Sequence, residues 1–432
     1  MASPRVISDY KPIPALGRKN SLLDSSTSSV SKRFVSNPIL IQNTTSPRYG
    51  TPTPPPSTPP RYLKSIPASS PEESEATAAE HKSKYYEKSF YSARAHKVFR
   101  FIREIGSGNF STVLLAGASE QLVAIKVISV PLESKAQIQN FKSFIRRELS
   151  ILNEIRAHPC VTTLLDYSLS LRENDQLIFL EYCPGGNLLQ YLTTNKQHYH
   201  LHDTRYWLAL KRIVCELVVT VGYLHSINII HRDIKLENIL LNYTYDDLLE
   251  LITVDSPQVL PAFTNLTDFG LSKKLRSAEE LLSTRCGSQD YISPEILMGL
   301  KYNGFLTDSW SIGVLLYSII ENRLPFDLIP VDAANGNGVS PSVLRRKRSR
   351  NSSAHRIAMI DWEWFKLNQY MNDENIPEEI KIVFKEIQSV VKVLLVRKDK
   401  RMTISQILES QEYQWIRDFV PVDFMLHIKE KL

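Results

Sequence analysis

Hydrophobic residues recur along the chain in two different periods, and each period predicts one part of a fold. From Val98, short β-branched runs, VFRFIREI, STVLLAG and LVAIKVI, alternate with glycine-containing turns and predict an antiparallel meander. The run FKSFIRRELSILNEI then predicts an amphipathic helix whose buried stripe is formed by Phe141, Ile145, Leu149 and Leu152. After about residue 188 the helical period prevails, as in ALKRIVCELVVTVGYLH. The pattern predicts an α+β protein with a small β-rich lobe followed by a larger α-rich lobe.

The residues before Val98 show neither period. They hold 13 of the 24 prolines, together with serine and threonine runs such as TPTPPPSTPP. This composition buries too little apolar surface to offset the entropy of ordering the chain. We therefore expect residues 1–97 to be a disordered tail. Ser-Pro and Thr-Pro steps suggest a regulatory segment that proline-directed kinases phosphorylate, and the alternative is a plain solubilising tail. These steps lie at Ser3, Ser46, Thr51, Thr53, Thr58 and Ser70.

Charge is distributed unevenly along the chain. The net charge of the 432 residues is +6, but 14 Lys and Arg stand against 7 Asp and Glu before Val98, and 38 stand against 39 in the remainder. The part that is predicted to fold is therefore near neutral. It lacks the strongly basic domain typical of proteins that bind the DNA backbone, which disfavours a nucleic-acid-binding function.

Cysteine usage and hydropathy indicate the compartment. The four cysteines include no CxxC pair, are too few for a disulfide scaffold, and fit a reducing environment. No run reaches the ~18 consecutive apolar residues of a bilayer helix. The start, MASPRVISDYKPIPALGRKN, lacks the apolar core of a signal peptide. We expect a cytoplasmic protein without a membrane-inserted segment.

Two short motifs in the β-rich part carry candidate chemistry. Gly106 and Gly108 lie between the first two strands, where a backbone without Cβ atoms can approach a phosphate. A glycine-rich hairpin turn is the commoner explanation, and the position between strands argues against a dinucleotide-binding turn. Lys126, in the strand VAIK, needs an anion if it is buried, either Glu148 or a nucleotide phosphate. The alternative is a lysine that faces solvent.

The segment IHRDIKLENILL fits neither an amphipathic helix nor a strand, because its polar residues are irregularly spaced between apolar runs. It predicts a loop that is held on both sides. In it, Asp233 could accept a hydroxyl proton, Lys235 could neutralise a phosphoryl oxygen, and Asn238 could bind a hard cation. Asp268, in the later Asp-Phe-Gly, supplies a carboxylate suited to Mg²⁺.

In this order the motifs resemble those of the eukaryotic protein kinases. The set comprises GxGxFSxV, VAIK, a helix glutamate, HRDIKLEN, DFG, CGSxxYxSPE and DSWSIG. The resemblance implies a kinase domain at residues 98–418 with an N-lobe of one antiparallel sheet and one helix and a mainly α-helical C-lobe. The implied boundaries are 98–182 for the N-lobe and 183–418 for the C-lobe, with insertions at 243–262 and 332–355 and a short tail at 419–432.

The resemblance also implies ATP and Mg²⁺ as cofactors. Gly106 and Gly108 would lie over the phosphates, Lys126 would pair with the phosphates and Glu148, and Asp268 and Asn238 would hold two Mg²⁺. Asp233 would be the catalytic base, with Lys235 beside it. Such a site suffices because phosphoryl transfer asks mainly for alignment and charge neutralisation. The adenine would be enclosed by residues of both lobes and the hinge, namely Ile105, Val113, Ala124, Leu240, Glu181 and Cys183.

The acceptor and the regulation follow from the same resemblance. Lys235 and Ser288 are similar to the residues that serine/threonine kinases carry at these positions. The stretch LLSTRCGSQDYISPEIL resembles the calcium/calmodulin-dependent and AMP-activated groups, including fungal sucrose-derepression kinases. There Thr284 aligns with the activating phosphothreonine, and Arg232 would supply a guanidinium for its phosphate, added by an upstream kinase. The alternative is that Thr284 is merely an exposed loop residue.

Some residues depart from the family pattern. Ser293 replaces the usual alanine, a small change that leaves an expected ion pair between Glu295 and Arg401 intact. Asn187 and Ser318 stand where many basophilic relatives carry acids, and only Glu237 remains, which puts a preference for basic substrates in doubt. The basic run at residues 345–350 within the second insertion is a nuclear import signal, a docking patch, a phosphoacceptor region or a solvated loop.

These observations together predict a protein serine/threonine kinase of intracellular signalling that acts on Ser and Thr hydroxyls of protein substrates. We expect it to be monomeric and cytoplasmic, or nuclear if the basic run directs import. The alternatives are a pseudokinase that works as a scaffold and a nucleic-acid binder with a basic tail. The enzyme is favoured because the full polar set is present, namely Lys126, Glu148, Asp233, Asn238 and Asp268.

Overall fold

The computed structural model describes residues 83–108, 111–129, 135–155, 158–169, 175–194, 201–254, 256–327 and 352–429. By compactness the chain divides into a unit of residues 14–86, of which only a turn at 83–86 is described, and a unit that holds residues 87–432. The predicted tail up to residue 82, most of the second insertion and its basic run lie outside the described residues. No helix in the described part is long and apolar enough to cross a membrane.

The N-lobe is built on one six-stranded sheet, as the meander pattern predicted. All its pairs are antiparallel, and the strand order is β1-β2-β3-β4-β6-β5. Side chains alternate across the sheet, so that Phe99 is buried while its neighbours Val98 and Arg100 are exposed. The strands are β1 (Ser89–Ser92), β2 (Lys97–Ser107), β3 (Ser111–Ala118), β4 (Gln121–Ser129), β5 (Leu164–Ser168) and β6 (Asp175–Glu181).

The sheet begins earlier than the predicted domain boundary at residue 98. In β1, Phe90 is buried opposite Phe99 of β2. The Ser92 hydroxyl donates to the Asp166 carboxylate at 2.6 Å, which joins β1 to β5 at the other end of the strand order. A four-residue strand with the sequence SFYS is too short and too polar to show a period. Residues 89–97, assigned to the tail, therefore belong to the folded unit.

Among the described residues of the N-lobe, the helix is α1 (Lys135–Glu154), and its apolar stripe lies as predicted. Ile145, Leu149 and Leu152 are buried, and Phe141 packs against the same cluster. Glu148 is buried on this face of the helix, although it is charged. The stripe therefore fixes the rotation of α1 and carries Glu148 toward the interior of the lobe.

The C-lobe is organised around two helices that are buried nearly all round. They are α3 (Thr204–Ser226), capped by Asp203, and α6 (Gly304–Glu321), capped by Asn303. A helix without a polar face must lie inside a larger core. The remaining helices are α2 (Leu188–Thr194), α4 (Tyr245–Val254), α5 (Pro294–Leu297), α7 (Ser353–Met359), α8 (Leu367–Asn372), α9 (Glu378–Leu394), α10 (Ile404–Glu409), α11 (Gln414–Asp418) and α12 (Val422–Lys429).

Short ladders hold the loops that carry the polar motifs. Each ladder joins two strands in antiparallel pairing. The ladders are β7 (Ile229–Ile230) with β10 (Lys273–Lys274), β8 (Ile239–Leu241) with β9 (Thr264–Leu266), and β11 (Leu281–Leu282) with β12 (Tyr302–Asn303).

Two segments predicted to be peripheral belong to the C-lobe core. Within the predicted insertion at 243–262, helix α4 buries Leu248 against the main cluster. Beyond the predicted domain end at residue 418, Phe424 and Met425 of α12 are buried, and the Phe424 ring lies 6.3 Å from that of His158. The described part of the predicted short tail at 419–432 therefore packs against the C-lobe core, and its apolar partners lie far away in the sequence.

Candidate active site

Lys126 is the cation at the centre of the site. It lies on β4 opposite Val113 of β3. Its Nζ is 2.7 Å from Oε1 of Glu148 and 2.9 Å from Oδ1 of Asp268. Burial opposes its charge, but the two carboxylates outweigh burial and raise the pKa of Lys126 above its ordinary value. The ammonium therefore stays charged and links the N-lobe helix to the Asp-Phe-Gly segment.

Asp268 is held where a metal-binding carboxylate is expected. Its backbone lies in the left-handed region with φ of 64°, just before a short 3-10 turn, Phe269–Leu271. The charge of Lys126 lowers the pKa of Asp268 to about 2, against the effect of burial. Phe269 is buried and meets the His231 ring edge-on at 5.0 Å. Leu152 and Phe269 lie in one buried cluster, and His231 contacts it through Phe269.

The loop at residues 231–238, called the catalytic loop below, brings Asp233, Lys235 and Asn238 together. The Lys235 Nζ lies 3.0 Å from Oδ2 of Asp233. The Asn238 amide nitrogen donates to the Asp233 carbonyl at 2.7 Å and to its Oδ2 at 3.2 Å, which leaves the amide oxygen to meet a cation. Burial opposes the charge of Lys235, but Asp233 outweighs it and raises the pKa of Lys235. The loop thus presents one carboxylate with its orientation set from two sides.

Ser288 of the Cys-Gly-Ser segment completes this group. Its hydroxyl donates to Oδ1 of Asp233 at 2.8 Å, and its backbone N–H donates to the same oxygen at 2.9 Å. Lys235 in turn donates to the Ser288 hydroxyl at 2.9 Å. The Asp233 carboxylate therefore accepts a hydrogen bond from an alcohol at this place.

Asp308 has a functional position that sequence reasoning missed. It lies on α6 within DSWSIG, which was recognised only as a motif. Its Oδ2 accepts from the His231 N–H at 2.9 Å and lies 3.0 Å from Nε2 of His225, and its Oδ1 accepts from the Arg232 N–H at 2.9 Å. Burial acts to raise the pKa of Asp308, but the hydrogen bond with His225 and the electrostatic effect of His225 outweigh burial and lower this pKa. An acid in the first turns of a mainly apolar helix was the available signal.

The two glycines that were expected to lie over the phosphates are at the junction of β2 and β3. Gly106 lies opposite Val113, and a Cβ on Gly106 would meet that side chain only at 3.6 Å, an ordinary contact. Protein packing therefore does not demand glycine here, whereas a bound phosphate would. Gly108 donates to the Ser111 carbonyl at 2.7 Å and closes the hairpin, whose tip at 109–110 lies outside the described residues.

The residues expected around the adenine are half-buried or buried at the boundary between the lobes. Ala124 is buried on β4, and Leu240 lies on β8, where it forms a bridge with Asn187 of the connection to α2. Glu181 ends β6, and Cys183 follows it in the connecting segment. The half-buried members of the set are Ile105, Val113, Glu181 and Leu240.

Thr284 lies on the surface, in the segment between the Asp-Phe-Gly and Ser-Pro-Glu motifs that is called the activation segment below. Its carbonyl accepts from the Tyr302 hydroxyl at 2.7 Å, while its side chain is exposed. Arg232 donates from Nε to the Leu271 carbonyl at 2.6 Å. Burial and then Cys286 raise the pKa of Tyr302 to about 12, although Arg232 acts in the opposite direction. Arg232 and Thr284 therefore both approach Tyr302, without a direct contact between them.

The departures from the family pattern have structural consequences. The expected ion pair of Glu295 and Arg401 is confirmed, with Nη1 and Oε1 2.6 Å apart. The Asn187 oxygen accepts from the Gln190 N–H at 2.8 Å and so caps α2. Ser318 is buried and donates to the Val314 carbonyl within α6.

Comparison with known proteins identifies the family. The family model described as the protein kinase domain matches residues 99–413, which is more than half of the chain. The chain belongs to the protein kinase family. The predicted α+β fold, with an antiparallel sheet in the N-lobe and a helical C-lobe, is confirmed by this match and by the architecture above.

Two of the curated relatives are serine/threonine kinases by name. The chain is 37% identical over 357 residues to the serine/threonine-protein kinase PRR1 of Saccharomyces cerevisiae, covering 74% of this chain and 62% of that protein. It is 36% identical over 287 residues to the serine/threonine-protein kinase ppk27 of Schizosaccharomyces pombe, covering 64% and 61%. The chain therefore spans about three fifths of the length of these relatives.

A third relative bears on the predicted group. The carbon catabolite-derepressing protein kinase of Saccharomyces cerevisiae is 30% identical over 302 residues, covering 66% of this chain and 42% of that protein. Its presence among the relatives confirms the expected resemblance to fungal derepression kinases.

Proposed function

We propose that the chain is a protein serine/threonine kinase that uses ATP and Mg²⁺. The observation that carries the proposal is the bonding of Lys126 to both Glu148 and Asp268, with Asp233 held by Lys235 and Ser288 in the same cleft. Glu148 and Asp233 are buried, and buried carboxylates are costly unless they pair with cations or serve a ligand. The names of the relatives support hydroxyl side chains of proteins as the acceptors.

The donor set fits Mg²⁺ together with a nucleotide. Asn238 and Asp268 offer hard oxygen atoms, and Mg²⁺ in such sites is held by one or two protein groups plus phosphate oxygens. Among the described residues, no group of three or more His, Cys, Asp or Glu forms a metal site independent of a ligand. ATP with its metal would supply the phosphoryl group and the charge neutralisation at this place.

The protein residues have separate tasks. Lys126 binds phosphate oxygens and keeps α1 and the Asp-Phe-Gly segment in register. Asp233 takes the proton of the acceptor hydroxyl, and its Oδ2 is held by Lys235 at 3.0 Å. Lys235 offsets negative charge between that hydroxyl and the phosphoryl group.

The regulation of this activity is part of the proposal. Phosphorylation of Thr284 by an upstream kinase would place a dianion near Arg232 and Tyr302 and order the segment. Thr284 is exposed and its backbone is already held by Tyr302, which supports its accessibility for modification. Equal turnover of phosphorylated native protein and the Thr284→Ala variant would contradict this role. We place the activity in the cytoplasm, with nuclear entry if the basic run at 345–350 directs import.

A positional peptide library tests the proposal directly. Purified protein, treated with an activating kinase, should transfer phosphate from ATP to Ser or Thr peptides in the presence of Mg²⁺ only. The Asp268→Asn variant should bind nucleotide weakly and lose turnover, whereas Asp247→Asn, an exposed acid at the start of α4, should retain it. Native protein that is folded but neither binds nor consumes ATP would identify a scaffold instead of an enzyme.

A further inference from the structure

Arg212 and Glu216 of α3 form an ion pair inside the C-lobe, outside the cleft. Nε of Arg212 lies 2.6 Å from Oε1 of Glu216, and both side chains are 0% exposed. Burial of two charges costs several kcal/mol per ion unless every remaining donor and acceptor finds a partner. The partners of this pair therefore show what the pair holds together.

The remaining N–H groups of Arg212 all donate to backbone carbonyls. Nη1 donates to Pro257 and, at 3.2 Å, to Phe419, while Nη2 donates to Leu260 at 3.0 Å and to Pro261 at 3.3 Å. A guanidinium has five N–H groups, and together with the bond to Glu216 all of them are used. Arg212 thus joins α3 to the segment that follows α4 and to the segment that precedes α12.

Glu216 uses its oxygens on a different segment. The Phe263 N–H donates to both oxygens at 2.9 and 3.0 Å, and the Thr264 N–H and hydroxyl each donate to Oε2 at 2.8 Å. Phe263 and Thr264 are themselves buried. Thr264 is the first residue of β9, so the carboxylate holds the start of this strand against α3.

The strand β9 leads from this clamp to the proposed metal site. It pairs residue by residue with β8, from Thr264 opposite Leu241 to Leu266 opposite Ile239. Beyond the strand, the Thr267 N–H donates to the Asn238 carbonyl at 3.0 Å, and Asp268 follows. Thr264 and Asp268 are separated by about 13 Å of extended chain. Both proposed Mg²⁺ ligands thus lie at one end of the β8–β9 ladder, and Glu216 lies at the other.

We propose that Arg212 and Glu216 are positioning residues for the metal and nucleotide site. The carboxylate fixes the start of β9, and the guanidinium neutralises it while tying in the segments around Pro257 and Phe419. Through β9 the pair sets the position of Asp268 relative to Asn238. This inference rests on the proposed function, because its readout is binding of nucleotide with Mg²⁺.

A second ion pair on α3 provides a matched control. Lys211 lies 2.7 Å from Glu386 of α9, and the two side chains are 11% and 18% exposed. It joins two helices of the lobe, and neither its hydrogen bond nor its cation–π contacts reach β9. Loss of either pair should lower stability, but only loss of the pair at Glu216 should change the metal site.

The experiment uses the full chain with the substitutions Glu216→Gln, Arg212→Met, Glu386→Gln and Lys211→Met. The dissociation constant of a fluorescent ATP analogue is measured over a range of Mg²⁺ concentrations, below the onset of unfolding of each variant. Glu216→Gln should weaken binding at least about fivefold and raise the Mg²⁺ requirement, in the usual range for coupled sites. Native-like binding by folded Glu216→Gln, or an equal loss in Glu386→Gln, would overturn the proposal.

If the Arg212 and Glu216 variants do not fold, amide hydrogen exchange of the native protein tests the proposal. By reciprocity, Mg²⁺ and nucleotide should slow amide hydrogen exchange at Phe263 and Thr264 more than at the α9 turn around Glu386. An unchanged exchange rate at Phe263 and Thr264 in the saturated protein would also overturn the proposal. Native protein that binds no nucleotide would refute the proposed function itself, which is a different outcome.

Discussion

At the scale of single residues, two ion pairs with one lysine fix the geometry of the cleft. Lys126 was predicted to need an anion, and either Glu148 or a phosphate could have supplied it. In the structure Lys126 binds Glu148 and also Asp268, which is 142 positions away in the sequence. Residue type and strand position predicted the need for a partner. The choice of two partners required the packing of α1 and the Asp-Phe-Gly segment against one sheet.

The pKa of Asp268 predicts a pH effect on stability. Lys126 lowers this pKa from 3.8 to about 2. A carboxyl whose pKa is lowered by folding stabilises the folded state fully at pH values above its ordinary pKa. This stabilisation is lost as the pH falls toward the pKa of the folded state. Between pH 3.8 and about 2, native protein should therefore lose unfolding free energy more steeply than Asp268→Asn. Denaturant titrations at fixed pH values measure the difference, and parallel curves would contradict the ion pair.

Ser293 predicts a gain of stability on substitution. It is 0% exposed at the N-cap of α5, its side chain makes no capping bond, and its hydroxyl has no partner among the described residues. Ser293→Ala should raise the free energy of unfolding by about 1 kcal/mol, because a buried hydroxyl without a hydrogen bond is costly. Urea denaturation measures the change.

Ser272 serves as the control for this prediction. It is equally buried, but its hydroxyl donates to the His231 carbonyl at 3.2 Å. Ser272→Ala should therefore lower stability by about 1 kcal/mol. A loss of stability in Ser293→Ala would show that its hydroxyl has a partner after all.

At the scale of elements, the catalytic loop is positioned by a helix that does not itself enter the cleft. Asp308, in the first turns of α6, accepts from two consecutive backbone N–H groups, those of His231 and Arg232. Arg232 adopts a positive φ of 67°, so the loop needs an anchor at this point. The irregular polar spacing of the loop predicted that it would be held on both sides, but it did not show by which element.

Asp308→Asn tests this anchoring. The amide nitrogen would face a backbone N–H in place of an acceptor, so the loop should shift and turnover should fall by about 10- to 100-fold. The dissociation constant for nucleotide should change little, because Lys126 and Asp268 keep their bonds. Steady-state kinetics with a peptide substrate separates the two effects. Ser309→Ala, which loses only a bond to Phe305 within α6, should keep native turnover.

Elements that lack a clear period were the ones that sequence reasoning missed. Helix α1 was predicted because four apolar residues repeat along one face, and α3 because the helical period continues through ALKRIVCELVVTVGYLH. Strand β1 has four residues, and its evidence is the pairing of Phe90 with Phe99. Short edge strands depend on their neighbours, so their own sequence contains little signal.

At the scale of the whole molecule, the C-lobe extends beyond the matched kinase domain. Val420, Phe424 and Met425 are buried against the main core. His158 stacks on Tyr223 at 4.8 Å and also lies beside Phe424. Three segments from distant parts of the sequence therefore meet at α3, and the residues after 418 are a structural part of the lobe.

Truncation after Asp418 tests this extension. The free energy of unfolding should fall by about 4 kcal/mol or more, since each fully buried apolar side chain of this size contributes about 1.5–3 kcal/mol. Arg212 would also lose the Phe419 carbonyl. Truncation after Lys429 is the control and should unfold like the full chain in thermal and urea denaturation. Equal stability of both truncated proteins would show that α12 contributes nothing.

The motifs alone determined the family and the fold class and predicted the chemical roles of the polar residues, because phosphoryl transfer demands particular residue types in a particular order. Hydrophobic periodicity alone determined the two lobes and the face of α1. Only the tertiary structure decided that Asp268 shares Lys126 with Glu148, that Asp308 anchors the loop, and that Arg212 and Glu216 tie distant segments to β9. These contacts join residues far apart in the sequence, and local pattern does not encode which distant groups will meet once the core has packed.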